Sequence, residues 1–131
     1  MKNICIIGSG SWGCALAIHA AQAGHNVKLW SFDTEEARLI NEEKKCKFLP
    51  KVTMPDNVFC TTDIKEAVEG TEMILHVTPS KFFRETLRKY KDFITNQPVI
   101  ICSKGFELAS LSTLSDVAKE EIPNVKIGAF S

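Results

Sequence analysis

Six residues near the N-terminus, Gly8-Ser9-Gly10-Ser11-Trp12-Gly13, leave few folds open to this chain. They follow the short apolar stretch Asn3–Ile7 without a gap and open an alanine-rich segment that runs from Ser11 to Ala23. A β-branched run closed by glycine reads as a strand buried on both faces, and the alanine-rich segment reads as a helix with Gly24 as its left-handed C-terminal cap. G-x-G-x-x-G is a weak signal alone, since glycine is common in turns. Set between a strand and a helix, it is the turn that receives a dinucleotide. Gly8 permits the tight turn, Gly10 leaves room for a pyrophosphate, and Gly13 lets the helix pack close to the strand. The amides and the positive dipole end of the helix start would then hold the phosphates.

The same alternation continues along the chain. Val27, Leu29 and Trp30 predict a second strand, and Asp33 or Thr34 can cap a helix passing through Ala37 and Ile40 to about Lys45. Cys46 to Thr62, with Pro50 and Pro55, reads as a long connection holding one short strand at Val58 to Cys60. A helix from Asp63 to Glu69 ends at Gly70, and Met73 to Val77 is a strand stopped by Pro79. Ser80 is the expected cap of a helix whose stripe is Phe83, Leu87, Tyr90 and Ile94. Val99 to Cys102 is a strand, Leu111, Leu114, Ala118 and Ile122 mark a helix, and Val125 to Ala129 starts a last strand. Parallel strands need crossover helices, so the expected fold is α/β, a doubly wound and mostly parallel sheet of the Rossmann type, in a single domain.

Composition narrows the function. Sixteen basic residues against sixteen acidic ones give no net charge, which disfavours nucleic acid as a partner. The longest unbroken apolar run, Cys14 to Ile18, is five residues, so no transmembrane helix is expected, and the N-terminal run is too short for a signal peptide. A cytoplasmic protein follows. Five cysteines without a C-x-x-C pair or a zinc-finger histidine read as reduced thiols, and no metal site is expected.

Several side chains are candidates for the site. Asp33 lies 20 residues after Gly13, where an acidic group can accept from an adenosine ribose 2′-hydroxyl, but with Glu36 it also forms a capping box. Phe32 can lie against adenine or enter the core. Lys104 follows the strand Val99 to Cys102, and ligands sit beyond the carboxyl ends of such strands, where a cation favours an alkoxide. Phe82, off the stripe of Phe83, is expected to face the crevice. His76 reads as a neutral core histidine, and Lys44, Lys45, Lys47 and Lys51 as a solvated basic loop, with contact to an adenosine phosphate as the alternative.

The run Ile6–Gly13, together with Trp30-Ser31-Phe32-Asp33, Phe48-Leu49-Pro50, Val77-Thr78-Pro79-Ser80 and Ser103-Lys104-Gly105, closely resembles the N-terminal half of NAD(P)-dependent glycerol-3-phosphate dehydrogenases. Its most specific pieces are Ser11-Trp12 inside the glycine motif and Lys104-Gly105. The resemblance implies NAD or NADP as cofactor and hydride transfer between it and dihydroxyacetone phosphate, giving sn-glycerol 3-phosphate for glycerophospholipid synthesis. It further implies that Ser11 and Trp12 contact the cofactor phosphates, Phe32 the adenosine end, Phe82 the nicotinamide side, and Lys104 both cofactor and substrate. Phe48 stands where bacterial relatives often have tyrosine, and Phe32 where they commonly have Arg or His, which bears on NADP preference. The helical substrate domain of such enzymes, with a second lysine, an aspartate and an arginine, is expected to be absent from residues 1–131. This chain would then bind cofactor with little turnover, and a homodimer is an assembly open to the full-length enzyme. Two other readings share the glycine turn: a stand-alone NAD-sensing regulatory module, and a related two-domain hydroxyacid or sugar dehydrogenase.

Overall fold

A computed structural model describes residues 2–103 and 105–129. In chain order its elements are β1 (Asn3–Ile7), α1 (Ser11–Gln22), β2 (Asn26–Trp30), α2 (Thr34–Arg38), β3 (Lys45–Cys46), β4 (Leu49–Thr53), β5 (Val58–Thr61), α3 (Ile64–Val68), β6 (Met73–His76), α4 (Phe83–Tyr90), β7 (Val99–Ile101), β8 (Phe106–Glu107), β9 (Ser112–Thr113), α5 (Leu114–Glu121) and β10 (Ile127–Ala129). Six strands form one sheet in the order β10-β7-β6-β1-β2-β5, and every pairing in it is parallel. The fold is a doubly wound Rossmann sheet.

The order reverses between β1 and β6. β1 leads outward to β2 and β5 on one side, whereas β6 leads to β7 and β10 on the other. Crossovers therefore leave the sheet in opposite directions at that point, and a crevice opens beyond the strand ends. β1 is buried on both faces, as its unbroken apolar run requires. Cys5 and Ile7 join the core under α3, α4 and α5, while Ile4 and Ile6 join the core under α1. Alternate residues of one strand thus anchor both layers.

Local chemistry sets the helix ends. Gly24 adopts φ +95° just past α1, the left-handed conformation that glycine alone reaches without a Cβ penalty. Asp63 caps α3 by accepting from the amides of Lys65 and Glu66. The helix begun by α2 widens into a π-helical turn over Leu39–Glu43 and ends where Lys44 turns left-handed, close to the expected end near Lys45.

Three local expectations are corrected. The connection from Cys46 to Thr62 is not one open loop: β3 and β4 pair as an antiparallel hairpin, and a second small hairpin joins β8 to β9. Ser80 caps nothing, because Ser80–Phe82 is a 3₁₀ turn and α4 begins only at Phe83. The last helix starts at Leu114 and not at Leu111, since Thr113 caps it by accepting from the Asp116 amide, and Leu111 is exposed with φ +59°.

Arg84 holds the second hairpin to the helices. It donates to Glu107 at 2.7 Å, to Glu121 at 2.7 Å and to Glu120 at 3.1 Å, tying α4, α5 and β8 together. Arg88 and Lys91 also reach Glu121. Arg88 and Arg84 keep the Glu121 carboxyl at about 2, and Arg84 and Ser110 do the same for Glu107. On the same side of the sheet His76 is fully buried between the Tyr90 hydroxyl and Thr78 Oγ1, each at 2.7 Å. Burial pulls its pKa down to about 3, so it is a neutral core histidine.

A pH dependence follows. His76 binds a proton in the unfolded chain below about 6.5 but in the folded protein only near 3, so the unfolded state gains protons first as pH falls. Stability is expected to decline by about 1.4 kcal/mol per pH unit well below 6.5. The two glutamates act in a lower window, losing their contribution from about 4.5 downward. Thermal melting at pH 7, 5.5 and 5 checks this: the melting temperature should fall before the carboxylates titrate, and a flat profile across that range contradicts the His76 assignment.

Candidate functional site

The glycine run sits at the switch point. The Gly8 amide donates to the Trp30 carbonyl of β2 at 3.1 Å, and the Val77 amide donates to the Ile7 carbonyl at 2.8 Å, so the turn is pinned to both neighbouring strands. Gly8 has φ +122°, and a Cβ there would lie 3.2 Å from the Val77 carbonyl carbon. A side chain at Gly13 would lie 2.9 Å from the Gly8 carbonyl carbon and closer still to its oxygen. Only glycine lets α1 sit this close to the end of β1.

Gly10 is different. Among the described residues a Cβ there meets nothing within 4 Å beyond its chain neighbours, so its bareness serves open space and not packing. Gly10 is the N-cap of α1 but offers no side chain to the helix amides, and no acidic residue lies in the first turn. The N-terminus of a twelve-residue helix therefore presents its positive end to a space that a side chain at position 10 would fill. This fits the diphosphate of a dinucleotide, which needs amide donors, positive potential and a close approach to backbone.

The space is a cleft of about 570 Å³, within the range of small-molecule sites. Gly8 to Gly13 form its floor. One wall comes from Val77, Thr78, Pro79 and Phe82 after β6, and the other from Phe32 and Phe48. Phe82 is half exposed and lines the cleft, while Phe83 is buried in the core. Phe32 is 80% exposed, which excludes the core alternative for it. Phe48 reaches the cleft because the β3–β4 hairpin carries it there. Trp12, on the first turn of α1, is also half exposed and lines the cleft.

Asp33 does not line this cleft. Its Oδ1 accepts from the Glu35 amide at 2.9 Å as the cap of α2, and its own amide donates to Ser31 Oγ at 3.1 Å. Glu36, which sequence spacing assigns to the capping box, instead turns inward. Its Oε1 accepts from Ser9 Oγ at 2.9 Å, and it lines the cleft. The signal was present as the i, i+3 spacing from Asp33, but the Ser9 contact spans 27 residues and has no local signature. Lys104 lies outside the described residues. Its neighbour Ser103 donates to the carbonyls of His76 and Thr78, tying the end of β7 to the end of β6. All five cysteines are buried free thiols, and burial pushes Cys60 up to about 12, so none is poised as a nucleophile.

Comparison with known proteins decides the family. Residues 3–131 match the family model described as NAD-dependent glycerol-3-phosphate dehydrogenase N-terminus. The chain belongs to that family. A glycerol-3-phosphate dehydrogenase [NAD(P)+] of Fusobacterium nucleatum is 40% identical over 125 aligned residues, covering 93% of this chain and 37% of the relative. The glycosomal glycerol-3-phosphate dehydrogenase [NAD(+)] of Trypanosoma brucei brucei is 34% identical over 138 aligned residues, covering the whole chain and 39% of that protein. The crystal structure of glycerol-3-phosphate dehydrogenase from Coxiella burnetii superposes with a TM-score of 0.91 at 31% identity, over 98% of this chain and 40% of that one. The chain thus spans well under half the length of the relatives it matches. Among the described residues, no helix is long and apolar enough to cross a membrane.

Proposed function

We propose that this chain is the cofactor-binding part of an oxidoreductase that moves hydride between NAD(P)H and dihydroxyacetone phosphate, giving sn-glycerol 3-phosphate. The observation that carries the reading is the uncapped start of α1, facing a cleft that Gly10 keeps open at the β1–β6 switch point. NAD or NADP is the cofactor this family implies. When bound, its nicotinamide ring supplies or accepts the hydride.

The chain's own residues do the rest. Amides of Ser11, Trp12 and Gly13 hold the diphosphate, and Trp12 packs against the phosphate region. Phe32 and Phe48 flank the adenosine end, while Phe82 and the Thr78-Pro79 segment wall the nicotinamide end and exclude water. Lys104, which follows β7 in the sequence, is assigned as the cation that orients the substrate oxygen and stabilises the negative charge on it as hydride reaches the adjacent carbon. The product would serve glycerophospholipid synthesis. A polypeptide of the relatives' length would carry out the full reaction, and the share of residues 1–131 is to bind and orient the cofactor.

The test is NADH oxidation in the presence of dihydroxyacetone phosphate, followed with the full-length protein and its Lys104→Ala variant. Wild-type protein should turn over. The variant should lose roughly 100-fold in kcat/KM with an unchanged melting temperature. Absence of NADH oxidation with that substrate rejects the reaction, and unchanged kinetics in the variant remove Lys104 from it.

A further inference from the structure

Glu36 is a carboxylate inside the cleft with little to compensate its charge. It is 6% exposed, and among the described residues its one hydrogen-bond partner is the hydroxyl of Ser9, itself 6% exposed. No described lysine or arginine lies within ion-pair distance of it. Holding a carboxylate out of water against a single neutral hydroxyl is costly unless a further donor arrives. The local structure nonetheless enforces it. Ser31 Oγ occupies the Asp33 amide that Glu36 would otherwise reach in a capping box, and Asp33 is committed to the Glu35 amide. Glu36 is thereby turned toward Ser9, the residue between the first two glycines of the turn.

Position gives the ligand group. In a doubly wound sheet the adenosine ribose lies between the glycine turn and the end of the second strand, and Ser9, Ser31, Phe32 and Glu36 together line that end of the cleft. A ribose bearing a free 2′-hydroxyl supplies the missing donor. A 2′-phosphate supplies no donor and adds like charge. The basic side chain that lines the cleft among the described residues, Lys89, is held over the Trp30 ring at 5.5 Å. Phe32 at the rim brings no charge.

We infer that Glu36 selects NAD(H) over NADP(H), its carboxylate accepting from the adenosine ribose 2′-hydroxyl and repelling a 2′-phosphate, with Ser9 holding it in place. This rests on the dehydrogenase reading of the cleft. It moves the discriminating charge from Asp33, where spacing would put it, to a residue three positions later.

The experiment is titration of the full-length protein with NADH and with NADPH, for wild type, Glu36→Gln, Glu36→Ala and Asp33→Asn. Wild-type protein should prefer NADH by at least roughly tenfold. Either Glu36 variant should shrink that preference by roughly tenfold, mainly through tighter NADPH binding, whereas Asp33→Asn should leave it within about twofold. The wild-type ratio needs no variant, so the inference stays exposed even if a variant fails to fold. A wild-type preference for NADPH, or a ratio unmoved by both Glu36 changes, overturns the inference and leaves the dehydrogenase reading standing. Binding of neither nucleotide by folded wild-type protein overturns both.

Discussion

Gly10→Val is expected to lower NADH affinity by roughly 100-fold or more while leaving the melting temperature within a few degrees of wild type. Gly10 has φ −64° and ψ −174°, a conformation valine adopts without strain. Among the described residues its Cβ would meet no atom within 4 Å beyond its chain neighbours, so the described fold leaves room for the change. The isopropyl group would instead stand in the space above the start of α1. A diphosphate kept away from those amides loses charge-assisted hydrogen bonds worth about 1.5–3 kcal/mol each. Losing about 3 kcal/mol in all corresponds to the stated factor.

Gly13→Ala should act in the opposite way, on the fold first. In an exposed helix alanine would stabilise by about 1 kcal/mol over glycine. Here its methyl group would lie 2.9 Å from the Gly8 carbonyl carbon and nearer still to the oxygen, and both are backbone atoms at the end of β1. Neither can rotate away. The helix must back off from the strand, loosening the core cluster that Cys14 and Ala17 share with Ile6 and Leu29. Overpacking of this kind costs about 1–3 kcal/mol and occasionally more. A fall in melting temperature on the order of 10 °C is expected, together with weaker NADH binding as the amides shift. A melting curve that matches wild type would show that the α1–β1 approach is looser than the structure has it. The two variants together separate a glycine kept for a ligand from a glycine kept for packing.

The sheet was legible because its strands carry the period of their environment. The run Ile4 to Ile7 and the run Val99 to Ile101 are apolar at consecutive positions, which only a strand covered on both faces explains. The Phe83, Leu87, Tyr90 and Ile94 stripe predicted a packed helix face: the first three side chains are buried, but α4 ends at Tyr90, and Ile94 follows a 3₁₀ turn in extended backbone and is only partly buried against the same core. The two small hairpins were not legible. β3, β8 and β9 are two residues each, too short for any period, and they pair outside the main sheet. Leu111 misled for a related reason. It continues the spacing of Leu114 and Ala118, yet Thr113 provides the cap that starts the helix after it, and both Leu108 and Leu111 are exposed.

The site divided along the same line. The glycine turn is local, so its roles could be read from six consecutive residues, and Phe82 could be told from Phe83 by one step of helical phase. Glu36 depends on tertiary structure. Its i, i+3 relation to Asp33 suggested a capping box, but Ser31 supplied the same hydrogen bond from the other side and freed it to meet Ser9. Competition between two equally good local partners is not settled by sequence spacing.

Titrating NADH into folded wild-type protein and folded Gly10→Val side by side, by calorimetry, tests most directly whether the start of α1 grips a diphosphate. The expected result is saturable binding of one NADH by the wild type and its loss in the variant, with both proteins melting at similar temperatures. Equal affinity in the two proteins would mean that the nucleotide lies elsewhere and that the open space at Gly10 has another purpose.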